Sequence, residues 1–150
     1  MDLTDILLIF HIAAAGTWFG ANVIQAVAPP MMAKQGAEAV AGWYRVAANL
    51  SKNLYIPAAV LLLITGVWMV LRIDAFGFGT RFVTIGFAMI VVGAILGIVV
   101  LGPGAAAAAQ AVESGDQGRI KATAAKLATW GTVDTLLVLL TIGAMVTAWS

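Results

Sequence analysis

Four apolar stretches, each about as long as a lipid bilayer is thick, leave this chain few ways to fold. They cover residues 3–28, 54–71, 82–101 and 130–149. About 20 predominantly apolar residues in a helix cross a 30 Å hydrocarbon core. Inside lipid every backbone N–H and C=O must be paired, which restricts spanning segments to helices and closed barrels. Barrel strands would alternate polar and apolar residues over about ten positions, and no such alternation occurs here. The composition agrees: 62% of the 150 residues are hydrophobic, 10% are charged and the mean hydropathy is +1.01. A soluble domain carries about 25% charged residues, so this chain has too little polar surface to cover itself in water. The expected fold is all-α: a single integral membrane domain over 1–150, an antiparallel four-helix bundle.

Charge sets the expected orientation. Lys34, Arg45 and Lys52 fall between the first and second stretches, and Arg119, Lys121 and Lys126 between the third and fourth. Only Arg72 and Arg81 flank the middle connection. The positive-inside rule then places the first and third connections in the cytoplasm of a bacterial plasma membrane, with both termini outside. Trp68 and Trp149 fall at the outer interface, and Trp43 and Trp130 at the inner one. A net charge of +1 gives no basic patch for nucleic acid. The absence of cysteine excludes disulfides and thiolate metal sites. The acidic start Met1-Asp2-Leu3-Thr4-Asp5 and the long apolar run after it do not read as a cleavable signal.

The cationic connections are themselves helical. Val40, Tyr44, Ala47, Leu50 and Leu54 recur at three- and four-residue steps, while Glu38, Arg45 and Lys52 recur at sevens on another stripe. Ile120, Ala124, Leu127 and Gly131 share a face after a break at Ser114-Gly115-Asp116, where Gly115 reads as a helix stop and Asp116 as an N-cap. The expected helices are therefore about 3–28, 37–71, 82–114 and 117–149. The second and fourth, each near 50 Å long, extend into the cytoplasm. Pro29-Pro30, Pro57 and Pro103 fall near the inner boundary, where kinks or a helix end are expected. The connection 73–80, with Gly77 and Gly79, reads as a tight turn. A shift of 77 residues aligns Phe10, Gly16 and Gly20 with Phe87, Gly93 and Gly97, and Gly66 with Gly143, as a parallel internal repeat would.

Few residues carry candidate chemistry. Gly16-x-x-x-Gly20 and Gly93-x-x-x-Gly97 let another backbone approach closely, within the monomer or across a homodimer. His11, the only histidine, lies at membrane depth in the first stretch, where an ionisable group marks a candidate site. Its face also carries Trp18, placed to wall a flat ligand. The imidazole is either a structural group bonded to a neighbouring helix or a functional one: a haem or metal ligand, a proton relay or a hydrogen-bond partner for a quinone. No second histidine, cysteine or carboxylate cluster completes a metal set. Asp134, about one turn inside the fourth helix, reads as a structural hydrogen-bonding or ion-pairing group or as part of a proton or ion pathway, with Lys52, Asn53 and Tyr55 at similar depth. Asn22 and Gln25 are further polar groups in an apolar run. There is no phosphate loop, nucleophile elbow or paired-carboxylate pattern, and no catalytic residue is assigned.

His11 followed by Trp18-Phe19-Gly20, in the first helix of a four-helix chain of this length, resembles a bacterial membrane superfamily. It includes CopD-type copper-resistance proteins, HemJ-type protoporphyrinogen oxidases and the domain-of-unknown-function family 2269. The last is the most similar, with a charged hairpin before the fourth helix and a segment like Val133-Asp134-Thr135-Leu136-Leu137…Met145-Val146. The HemJ-type resemblance implies haem ligated by His11. The chain has Pro29-Pro30-Met31-Met32 where that group places a further histidine, and it has no lysine in the third apolar stretch. Both departures count against the oxidase activity. The CopD-type resemblance implies copper handling, for which few ligands are present.

Three functions follow as expectations. The first is a membrane scaffold, accessory subunit or small-molecule-binding module in a homo-oligomer or larger membrane complex. The second is a haem- or metal-binding redox protein with His11 as ligand and Trp18 beside it. The third is a small transporter or proton pathway built as a homodimer.

Overall fold

The computed structural model describes residues 1–147, and within them the chain is four antiparallel helices. They are α1 (Leu3–Ala33), α2 (Ala37–Arg72), α3 (Arg81–Ser114) and α4 (Gln117–Thr147), and all four are long and apolar enough to cross a membrane. No strand occurs among the described residues. The chain is thus a multi-pass helical membrane protein. The expected end of the last helix at 149, and Trp149 as an interfacial anchor, lie outside the described residues.

Each helix turns one narrow stripe inward. On α1 it is Leu7, Ala14, Trp18, Ala21, Asn22 and Ala28, at three- and four-residue steps. Ala58, Leu62 and Thr65 of α2 face it, with Val83, Gly86, Met89 and Gly93 of α3 and Asp134, Val138 and Thr141 of α4. The outward faces are apolar too. Ile12, Ile24, Val99 and Leu140 are each more than half exposed, as lipid-facing residues are in a bundle of this kind.

Helix ends follow local chemistry. Asp2 caps α1 by accepting from the Asp5 N–H at 2.9 Å, and Asp5 returns a bond to the Asp2 N–H at 2.8 Å, forming a capping box. Gly115 stops α3 with φ +70°, in the left-handed region. Asp116 then accepts from the Arg119 N–H at 3.0 Å. Both assignments agree with the sequence reading.

The prolines behave differently from expectation in one place. Pro29 and Pro30 do not end α1, which continues to Ala33. The fixed φ of proline suits a helix, and the carbonyls it leaves unpaired lie near a helix end, where they are cheapest to leave. Pro57 and Pro103 instead each follow a π turn, Ser51–Tyr55 in α2 and Leu96–Leu101 in α3. A π turn widens the helix by one residue and relieves the clash between a proline ring and the carbonyl four residues back. The two turns pack against each other. They do not follow the 77-residue shift: its counterparts, 128–132 and 19–24, lie in regular α-helix.

Beyond the π turns, α2 and α3 continue as a packed layer completed by α4. Tyr44, Ala108 and Ala109 are buried there against Val40, Trp43, Val112 and Leu127. Ala105 and Ala111 are also buried, so the alanine run presents a flat face that lets α2 lie close. Glu38, Arg45 and Lys52 are exposed, as the seven-residue spacing implied. Arg45 reaches Glu113 at 3.4 Å, but both side chains are at least half exposed, and such pairs contribute little. Alanine packing therefore holds this layer. Ala108→Leu should lower stability by about 1–3 kcal/mol through overpacking, whereas Ala106→Leu on the exposed face should stay within about 0.5 kcal/mol of wild type. Thermal unfolding in detergent compares the two.

Candidate functional site

Two polar constellations interrupt the apolar interior, and Trp18 belongs to both. The first surrounds Asp134, whose side chain is 2% exposed. Its Oδ2 accepts the Trp18 indole N–H at 2.9 Å and the Asn22 amide N–H at 2.8 Å. The Tyr55 hydroxyl donates to Asn22 Oδ1 at 2.7 Å and accepts from the Gln25 amide at 2.7 Å. These bonds fix the orientation of the Asn22 amide, because its nitrogen must face the carboxylate and its oxygen the phenol. The Trp18 and Tyr55 rings meet edge-on with centroids 5.5 Å apart. The carboxylate's other oxygen, Oδ1, is buried with no hydrogen-bond partner.

Gly93 lets this cluster close. A Cβ there would lie 2.7 Å from the Trp18 ring and 3.3 Å from Asp134 Oδ1. The indole thus lies directly across the α3 backbone. Gly16 and Gly20, expected to let another backbone approach within the monomer or across a homodimer, make no such approach within the chain. A Cβ on either would meet nothing within 4 Å. Of the two small-residue pairs, the one on α3 makes the close approach, because Trp18 is the large group that needs the room.

The second constellation centres on His11. Its Nδ1 lies 2.8 Å from Thr65 Oγ1 on α2. The Thr65 hydroxyl donates its proton to the Leu61 carbonyl at 2.6 Å, as threonine does within helices. The threonine oxygen is therefore the acceptor and His11 Nδ1–H the donor. The His11 ring also approaches the Leu62 backbone; with Nδ1–H on Thr65, Nε2 is the unprotonated, accepting nitrogen of the neutral imidazole. His11 and Trp18 both line a cavity of about 590 Å³ between all four helices. The walls are otherwise almost wholly apolar, with Phe76, Phe82 and Met145 at the terminal end and Gly66 beside the histidine.

Sequence reasoning placed His11 and Trp18 on one face, and both border the same cavity. It associated Asp134 with Lys52, Asn53 and Tyr55. Of these, Tyr55 joins the cluster through Asn22, while Lys52 and Asn53 are exposed. The link from Asp134 to Trp18 was missed, though Asn22 and Gln25 stood out as polar residues on the Trp18 helix. His11 and Asp134 share no bond. No group of three or more His, Cys, Asp or Glu residues able to hold a metal occurs among the described residues.

Fold and site together define a four-helix membrane protein with a buried carboxylate cluster and an apolar cavity. No protein-family model, curated protein or solved structure matches the chain.

Gly93→Ala should drive the indole off Asp134, with a loss of about 1–3 kcal/mol and a change in tryptophan fluorescence. Gly16→Ala should alter neither. Equal effects from the two, in thermal and fluorescence measurements, would contradict the close approach at Gly93.

Proposed function

We propose that this chain is a membrane-embedded binding protein for a lipophilic small molecule, held in the four-helix cavity with its own hydroxyl or N–H donating to His11 Nε2. The observation that carries the reading is the pairing of a 590 Å³ apolar space with an imidazole in its wall whose Nδ1 is held by Thr65. Small-molecule sites are cavities of roughly 300–1,000 Å³ with mostly apolar walls and a few placed polar groups that fix orientation. Because Nδ1–H is committed to Thr65, Nε2 accepts a hydrogen bond and does not donate one. The fitting ligand is therefore lipophilic with a hydroxyl or N–H, such as a quinol or a ring alcohol. Trp18 supplies a flat wall for its ring.

Protein purified in mild detergent should carry such a compound at near-stoichiometric level, detectable by mass spectrometry of an organic extract. Gly66→Val fills the wall beside His11, where even a Cβ stands 3.3 Å from the imidazole. It should cut the yield at least about tenfold, as should His11→Ala. Equal yields from wild type and both variants would remove the cavity from the proposal.

A second reading, haem ligation through Nε2, has its own supporting observation. A metal-binding histidine commonly donates its other ring N–H to a fixed acceptor, and Thr65 serves as one here. The resemblance to the CopD- and HemJ-type superfamily favours the same residue. A Soret band lost in His11→Ala supports haem, and a colourless preparation that takes up no added haem retires it.

We further place the chain in a bacterial plasma membrane with its cationic end in the cytoplasm. The chain contains no cysteine, so single introduced thiols report topology without background. Asp74→Cys should react with an impermeant maleimide in intact cells, and Ser114→Cys only after permeabilisation. The reverse pattern inverts the orientation.

A further inference from the structure

We infer that the large cavity loads sideways from the bilayer, through a mouth bordered by Ile12 and Gly16 of α1 and Leu63 of α2. Its occupant is then a molecule dissolved among the lipid chains. That route presupposes that the cavity is a binding site, as proposed above, and adds where the ligand comes from.

Exposure locates the mouth. Most residues that line the cavity are buried or half-buried, but Ile12 is 61% exposed, Leu63 is 40% exposed and Gly16 is exposed as well. Val146, the remaining exposed liner, belongs to the last described turn of α4. Ile12 and Leu63 flank a single contact between helices. Ile12 follows His11, Leu63 lies one turn from Gly66, and a Cβ on Gly66 would stand 3.3 Å from the His11 ring. Gly16 is one turn further in. The contact lies about 13 Å along α1 from Leu3 and about 13 Å along α2 from Arg72, well inside a hydrocarbon core of about 30 Å. The opening therefore faces lipid chains and not water. A Cβ on Gly16 would meet nothing within 4 Å, although the residue lines the cavity, so glycine there leaves the passage unobstructed.

Both ends of the cavity are closed. Toward the connection 73–80, Phe76 meets Phe82 edge-on with centroids 5.0 Å apart, and Phe78 packs on Phe87 at 5.9 Å. Phe76, Phe82 and Phe87 all line the cavity. The connection is held in shape by the Gly77 N–H, which donates to Thr80 Oγ1 at 2.9 Å. At the other end Trp18 packs with Leu62, Met89 and Val138, and its bond to Asp134 keeps it there. A water-borne ligand meets an aromatic roof, whereas a lipophilic one leaves water for the bilayer and reaches the mouth by lateral diffusion.

The test is photolabelling of the full chain in bilayers of a phosphatidylcholine that carries a diazirine midway along one acyl chain, with adducts mapped by peptide mass spectrometry. Leu62 and Met89 line the cavity and are buried, so a chain reaches them only through it. Leu140, exposed on the outer face of α4, reports ordinary lipid contact. Wild type should be labelled at all three. Gly16→Phe and Leu63→Trp, which fill the mouth, should each lose the Leu62 and Met89 adducts and keep the one on Leu140. A charged, membrane-impermeant diazirine should label neither interior residue. Labelling of Leu140 alone in wild type overturns the inference, as do interior adducts that persist in both variants or that form with the impermeant reagent. The binding reading fails separately. Interior adducts on protein whose organic extract holds no compound keep the mouth and retire the ligand; a compound retained by protein without interior adducts does the reverse.

Discussion

The carboxylate of Asp134 is buried inside the bundle, and the interior is arranged around it. Two N–H groups from successive turns of α1 converge on one of its oxygens, and both come from residues on the same inward stripe. Those bonds fix the rotation of α1 about its axis relative to α4. Tyr55 then ties α2 to the same point through Asn22, and Gly93 brings α3 against the indole. Apolar packing alone specifies rotation poorly in lipid, because tails and side chains are equally apolar. The polar cluster supplies what packing lacks: all four helices meet at one buried group whose bonds allow one geometry.

The fold was largely legible in the sequence because bilayer thickness and backbone pairing admit so few structures. Helix number followed from the apolar stretches, and the break before α4 from Gly115 and Asp116. The cluster was harder to read. Asn22 and Asp134 are 112 positions apart, and nothing along one dimension states which polar residues will share a depth and a face. The π turns were hidden for a similar reason. Pro57 and Pro103 signalled an irregularity, but whether a helix bends, stops or widens depends on what packs opposite it. Gly16 and Gly20 matched the small-residue pattern better than they matched its use, since the motif records that close approach is allowed and not that a neighbour is present.

Trp18 connects the two regions in which chemistry is concentrated. Its ring borders the large apolar cavity while its nitrogen holds Asp134. A side chain committed at one atom to a buried carboxylate and wedged over Gly93 has almost no rotamer freedom. The cavity wall it forms is therefore rigid. Two turns away on the same helix His11 is fixed by Thr65, so both cavity-lining groups are held in place by the protein itself, an arrangement that would reduce the ordering cost of binding.

The π turns carry a mechanical consequence. α2 and α3 each run as one long helix with a single change of hydrogen-bond pitch, and the two changes lie side by side. Two rods whose pitch changes at the same height share one joint. The buried carboxylate stands at that joint, since Ser51, Gly97 and Asp134 line one small cavity.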